Sequence, residues 1–390
     1  MAAIIIARIE AVAHGASQVA GPCNANDRRL PDPGARRASY KSAMTFLSPD
    51  EVLFHAGSLI STDGNLVAPY DLEYGDAPLT AHYPSTHLPG VKNANAEAFR
   101  IDWRDISTVH ILNGMGVTLG DSIIGLTAIY AIKTRFPHVR VHIYRPSRAP
   151  EYVDRIYTLA TGLVIDQCED LPLPVSRLPS GDTVIDVGNH LFWPRFADTP
   201  MIDFFLDALG TDPGTVAPSD KQNGWLSALP RLDLRRTDRP YAIFAPFAST
   251  PLRSIPTSVH YDLVDAIARR YGLPVLGFAP VQHPLYIDVT RDSVTTDTFL
   301  EFIRDASFVM TSDTAAVHIA AGFKVPTTAF FSSIGPDLRV RDYENCTAIR
   351  LEVPSLQSLQ ASGRDADLQL LEERFREVVD RGLELPPIGQ

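Results

Sequence analysis

Residues 308–331, FVMTSDTAAVHIAAGFKVPTTAFF, constrain the fold of this chain more than any other stretch. Phe308-Val309-Met310 is a short apolar run with strand character. Thr311-Ser312-Asp313-Thr314 supplies the hydroxyls and carboxylate favoured at a helix N-cap. Ala315 to Ala321 is small and helix-tolerant, and Gly322 suits a C-terminal stop. Pro326 blocks continuation, and Thr327 to Phe331 returns to strand character. A strand–turn–helix–strand unit of this kind belongs in a parallel α/β sheet. Small side chains in the first helical turn let another molecule approach the free N–H groups, where the helix dipole favours an anion. The unit reads as a phosphate seat at the carboxyl edge of the sheet, where open α/β sheets bind ligands.

The same pattern recurs upstream. Thr108 to Leu112 is a strand, Asn113 to Gly120 a glycine-rich loop, and Ser122 to Arg135 an apolar helix stopped by Phe136-Pro137. Val139 to Tyr144, Leu163-Val164-Ile165 and Thr183 to Val187 read as further strands, and His55 to Val67 as a hairpin. Residues 211–240 carry Pro213, Gly214, Pro218, Gly224, Pro230 and Pro240 among many charges and read as a linker. A second series follows: strand Tyr241 to Phe247, helix Thr257 to Tyr271 stopped by Gly272, strand Pro274 to Phe278, and helix Thr296 to Asp305. The last helix runs from about Asp365 to Arg381. At 390 residues the chain is long enough for two domains. The expected division is an N-terminal α/β domain over 44–225 and a C-terminal one over 240–390. Residues 1–43 are locally basic and aperiodic; they are expected to be a disordered extension, or to precede a true start at Met44.

A net charge of -11 argues against general nucleic-acid binding, which requires a basic face. Cys23, Cys168 and Cys346 are far apart and form no CxxC pair, so no disulfide framework or zinc site is suggested. No His/Asp/Glu cluster has metal-ligand spacing, and no metal is expected. No apolar stretch reaches the roughly 18 residues of a membrane span. The apolar run Ala2 to Ala7 is interrupted by Arg8 and Glu10 and is short for a signal peptide. A cytoplasmic protein with at most peripheral contact at the inner membrane face is the expectation.

Two loops carry candidate chemistry besides the opening unit. Gly114-Met115-Gly116-Val117-Thr118-Leu119-Gly120-Asp121 has glycines at GxGxxxG spacing between a strand and a helix. As a dinucleotide loop it lacks the acidic residue about 20 positions on; Tyr144-Arg145 stands there instead, and the arginine suits a 2′-phosphate. Alternatively Asp121, at a helix start facing a cleft, takes a proton from an acceptor hydroxyl, or is simply an N-cap. In Ala248 to Pro256, Ser249, Thr250 and Arg253 offer hydroxyl and guanidinium donors to a diphosphate, or form a solvated loop. Asp313-Thr314 reads equally as a cap, and His318 as a core histidine.

Three segments together resemble glycosyltransferase family 9, the lipopolysaccharide heptosyltransferases. They are GMGVTLGDSIIGLTAIYAIKTRFPHVRVHIY, ASTPLRSIPTSVHYDLVDAI and SDTAAVHIAAGFKVPTTAFF. The resemblance covers roughly residues 107–350. It implies the GT-B architecture, two Rossmann-like parallel-sheet domains facing across a cleft. It implies an inverting, metal-independent and cofactor-free transfer of a sugar, usually from ADP-heptose, to a glycan, lipid-linked or protein hydroxyl. Asp121 would be the general base in a loop shared with Asn113, Gly114, Gly116 and Gly120. Arg253, with Ser249 and Thr250, would hold the diphosphate. Asp313, Thr314 and the backbone of Ala315 and Ala316 would hold donor sugar and phosphate, with His318 nearby. The chain departs from that pattern at Ala315, where the family has glycine, at Ile255, and after Gly277-Phe278, where no acidic residue follows. Two other classes fit the same segments: a GT-B scaffold that binds a nucleotide or glycan without turnover, and an NADP-binding oxidoreductase.

Overall fold

The computed structural model describes residues 46–75, 82–232 and 239–388. The expected extension 1–43 lies outside the described residues. The first half begins with helix α1 (Pro49–Leu53), strands β1 (Leu59–Ser61) and β2 (Asn65–Val67), helix α2 (Pro69–Glu73), and strands β3 (His82–Pro84) and β4 (Val91–Lys92). There follow β5 (Thr108–Leu112), α3 (Leu119–Arg135), β6 (Arg140–Pro146), α4 (Glu151–Ala160), β7 (Gln167–Leu171), β8 (Leu173–Pro174), β9 (Thr183–Asp186) and α5 (Met201–Ala208). The second half contains β10 (Ala242–Ala245), α6 (His260–Tyr271), β11 (Val275–Gly277), β12 (Tyr286–Asp288) and α7 (Thr296–Arg304). It closes with β13 (Phe308–Ser312), α8 (Ala315–Gly322), β14 (Thr327–Phe331), β15 (Cys346–Arg350) and α9 (Asp365–Asp380).

Two parallel sheets result, ordered β4-β9-β5-β6-β7 and β12-β11-β10-β13-β14-β15. This is the two-sheet α/β architecture that the resemblance implied. The expected hairpin is present: β1 pairs antiparallel with β2 in a small third sheet, β3-β1-β2-β8. Buried Asp186 at the end of β9 ties that sheet to the larger one, accepting from the Ser58 amide at 2.6 Å and the Gly188 amide at 2.9 Å.

Helix α3 is apolar on nearly every side, and it is covered on nearly every side. Ile123, Ile124, Leu126, Ala128, Ile129, Ala131 and Ile132 are all buried. Besides its own sheet, α3 packs against α5 and, from the second half, α8. One hydrophobic core therefore runs through both halves, from Ile123 through Trp225 to Ile319.

Three expectations are corrected. Leu163–Ile165 is not a strand: it is a tight turn closed by an isolated bridge between Thr161 and Ile165, and the strand lies at β7. Its apolar side chains are there to fill the core under the turn. The described part of 211–240 is not a loose linker. It folds into short 3₁₀ turns at Pro213–Thr215, Pro218–Lys221 and Gly224–Ala228, and Trp225 and Leu226 are completely buried between the halves. Gly322 does not end α8 in a left-handed turn; Lys324 takes that conformation, at φ 59°. Gly322 is needed for close approach, since a Cβ there would lie 2.6 Å from the Asn223 carbonyl oxygen. Among the described residues no helix is long and apolar enough to cross a membrane.

Candidate active site

The loops that follow β5, β6, β10, β11, β13 and β14 meet at the carboxyl edges of the two sheets and enclose a cleft of about 1020 Å³, counting its open mouth. Thr118 to Asp121, Tyr152 and Met201 line it from the first half. Ser249, Arg253, Asp313, Thr314, Ala315 and His318 line it from the second, with Arg339 and the apolar Phe247, Phe278 and Phe299.

Helix α3 begins at Leu119, earlier than the expected Ser122, and Thr118 is its N-cap, accepting from the Asp121 amide at 3.5 Å. Asp121 is thus not the cap. Its carboxylate is left to turn into the cleft, where Oδ2 accepts from His190 Nε2 at 3.3 Å. His190 sits on the turn after β9 and is buried against Phe196 and Phe205, with ring centroids 4.8 and 5.1 Å away. Gly116 makes this contact possible. Its φ is +76°, and a Cβ would lie 2.7 Å from His190 Cε1. A Cβ on Gly114 would lie 2.9 Å from Ile143, and one on Gly120 3.3 Å from His318. Asn113, buried at φ 51°, begins the left-handed loop. Gly114, Gly116 and Asn113 therefore shape the loop from behind, and of the glycines only Gly120 faces the cleft.

Arg145, weighed above as a 2′-phosphate ligand, is buried inside this loop. It donates to the Gly116 carbonyl at 3.2 Å and to Asp154 at 3.0 Å, and lies 3.6 Å over the Tyr157 ring. Its donors face the protein, which removes the residue that favoured an NADP reading.

Burial pushes the Asp121 carboxyl up. The His190 hydrogen bond, then the charge interactions with His190, Arg339 and Arg253, outweigh burial and hold it below the ordinary carboxylate range. Asp121 is consequently ionised at neutral pH, the form that accepts a proton.

Across the cleft, Arg253 is held between two partners. Nη1 donates to Asp313 Oδ2 at 3.2 Å and Nη2 to the Ser249 hydroxyl. Thr250 is not brought into the cleft; its hydroxyl reaches towards the Gln360 carbonyl at 3.5 Å. Thr314 is the N-cap of α8 and accepts from the Ala316 amide at 3.1 Å, so Ala315 presents the open N–H. Left-handed backbone occurs among the described non-glycine residues at Asn113, Met115, Asn189, Asn223, Lys324 and Ser358. Ala315 is not one of them, so its methyl group carries no backbone strain where the family has glycine.

His318 is buried yet lines the cleft. Asn223 Nδ2 donates to the Tyr343 hydroxyl oxygen at 2.8 Å and to the His318 carbonyl at 2.9 Å. The Tyr343 O–H is then directed at His318 Nδ1, 2.9 Å away. This leaves Nε2–H as the donor edge towards Gly120 and the cleft. Burial pushes the His318 imidazole down to about 4. The unfolded chain, titrating near 6.5, binds the proton first, so stability falls as pH drops from 6.5 towards 4, by roughly 1.4 kcal/mol per unit. Chemical denaturation of wild type and His318→Asn at pH 7 and pH 5 checks this: the stability difference between the two pH values shrinks in the variant.

His190 and Arg339 escaped sequence reasoning. His190 was findable in principle, because β9 neighbours β5 and its following turn must reach the same sheet edge. Arg339 carries no local signal. Among the described residues no three His, Cys, Asp or Glu side chains are grouped as a metal site.

No family model matches the chain, and no curated protein matches it. Solved structures do resemble it. The ADP-heptose lipopolysaccharide heptosyltransferase II of E. coli aligns at 15% identity over 70% of this chain and 99% of its own, with a TM-score of 0.43. A family 9 glycosyl transferase from Veillonella parvula aligns at 13% identity over 64% and 87%, also at 0.43. The iron-containing dodecameric glycosyltransferase TibC of enterotoxigenic E. coli aligns at 13% identity over 71% and 78%, at 0.42.

Proposed function

We propose that this protein is an inverting, metal-independent glycosyltransferase that moves a heptose-like sugar from a nucleotide diphosphate to a hydroxyl of a glycan, lipid-linked or protein acceptor. The observation that carries the reading is the placement of an ionised, hydrogen-bonded Asp121 on one wall of a cleft, opposite the Arg253–Asp313–Thr314 anion seat on the other. The two loops come from different sheets, and transfer requires both. The acceptor oxygen attacks the anomeric carbon, and its proton passes to Asp121 Oδ2. The bond from that carbon to the diphosphate oxygen breaks, and its electron pair leaves with the diphosphate. Arg253 and the open end of α8 stand where that negative charge grows.

The test is thermal stabilisation by ADP-, GDP-, UDP- and dTDP-sugars, since a ligand that prefers the folded state raises its melting temperature. The expected result is stabilisation by one nucleotide class, with release of the nucleoside diphosphate once an acceptor is supplied. Stabilisation by none of the four removes the donor assignment. Arg253→Ala is expected to weaken nucleoside diphosphate binding by about tenfold or more, the loss of a charge-assisted pair. Calorimetry with unchanged affinity would take Arg253 out of the site.

A further inference from the structure

Arg339 lies buried in the wall of the cleft. It follows the 3₁₀ turn Pro336–Leu338 after β14 and keeps only 7% of its surface exposed. Among the described residues its one hydrogen bond runs from Nη1 to the carbonyl of the adjacent Leu338, at 3.3 Å. The guanidinium also approaches the Phe196 ring, 5.7 Å from its centroid. Among the described residues no carboxylate pairs with it. Asp313 is taken by Arg253 and Asp121 by His190, and both act on Arg339 only at longer range. The other described arginine buried to this degree, Arg145, is satisfied: it has Asp154 and two loop carbonyls. A buried guanidinium with spare N–H groups and no counter-ion is costly, because desolvation is not offset by an ion pair. Such a cost persists where a ligand supplies the missing anion.

Arg339 lines the same cleft as Arg253, Thr314 and Asp121. We infer that Arg339 is the second cation of the anion seat and receives a phosphoryl oxygen of the departing nucleoside diphosphate. The inference rests on the sugar-transfer reading and adds to it a residue that no sequence motif marks. Arg253 shares its charge with Asp313, so alone it offers the leaving group a partly neutralised partner. Arg339, uncommitted in the free protein, supplies full charge as the bond to the anomeric carbon breaks and the electron pair moves onto the diphosphate. Its contact with Phe196, which packs against His190, also sets it beside the Asp121 wall.

The experiment is calorimetric titration of wild type, Arg339→Met and Arg339→Lys with ADP, GDP, UDP, dTDP and inorganic pyrophosphate, alongside melting of each ligand-free protein. The expected result is that Arg339→Met weakens binding of the preferred nucleoside diphosphate by about tenfold to a hundredfold, with partial recovery in Arg339→Lys. Ligand-free Arg339→Met is expected to melt at or above the wild-type temperature, since an unpaired buried charge has been removed. Wild-type affinity for a nucleoside diphosphate in Arg339→Met overturns the inference and leaves the transfer reading standing. A variant that melts lower and binds weakly, with no recovery in Arg339→Lys, also overturns it and makes Arg339 a packing residue. Arg339-dependent binding of pyrophosphate without any nucleoside diphosphate supports the seat and overturns the transfer reading. Binding of none of the five anions by wild type overturns both.

Discussion

Asp121→Asn is expected to lower sugar transfer by about 10²–10⁴-fold, the usual contribution of a positioned general base, while nucleoside diphosphate binding stays close to wild type. Asparagine preserves the shape of the side chain, and its carbonyl oxygen still accepts from His190 Nε2. What is lost is the capacity to hold a proton. Transfer assays paired with calorimetry separate the two effects, and near-normal turnover in the variant would reduce Asp121 to a first-turn carboxylate. The pH dependence follows from the same contact. Only ionised Asp121 accepts a proton, and its carboxyl lies below its ordinary 3.8, so transfer should be insensitive to this group across neutral pH and fall only in acid. His190→Gln weakens the contact that holds the carboxyl down, and the acidic limb of the rate profile should move to higher pH. A limb that stays in place would show that His190 packs beside Asp121 without tuning it.

Asn223→Ala is expected to destabilise the fold by roughly 3 kcal/mol or more, because it strands several buried polar groups at once. Asn223 is fully buried at φ 58°, a left-handed conformation that asparagine tolerates better than alanine. Its amide nitrogen serves the His318 carbonyl and the Tyr343 hydroxyl, and its oxygen lies 2.7 Å from the Thr127 hydroxyl of α3. Trp225 Nε1 donates to that same hydroxyl at 3.1 Å. One side chain thus joins a helix of the first half, a helix of the second and the ring that faces the cleft. Networks of this sort are costly when partly satisfied, since each remaining partner is desolvated without compensation. Urea unfolding measures the loss, and a change under 1 kcal/mol would mean that apolar packing alone holds the junction. The same variant should also weaken ligand binding, because the Tyr343 hydroxyl is then free to turn away from His318 Nδ1.

The strand–loop–helix units at Thr108 to Arg135 and at Phe308 to Phe331 were legible because their signals are local. Thr314 caps α8 within two residues, and β13 opens on the buried apolar run Phe308-Val309-Met310. Leu163–Ile165 failed for the same reason: a short apolar run reads alike as a buried strand or a buried turn. Gly322 was misread because a glycine after an apolar helix signals a left-handed stop, whereas here the demand for glycine comes from the Asn223 carbonyl, far away in sequence.

Residue pattern alone determined two parallel α/β units, the glycine loop ahead of Asp121, and the loop arginine and helix start of the second unit. The folded structure decided that Asp121 is free of capping and bonded to His190, 69 residues away, and that Arg145 serves the loop rather than a ligand. It also decided that a segment rich in proline and glycine is the buried wedge between the halves, and that Arg339 stands in the cleft without a counter-ion among the described residues. The reason is physical. Backbone propensity and capping act over one or two turns of chain and so are written locally, whereas burial, ion pairing and close approach depend on which distant segments the two sheets bring to a common edge.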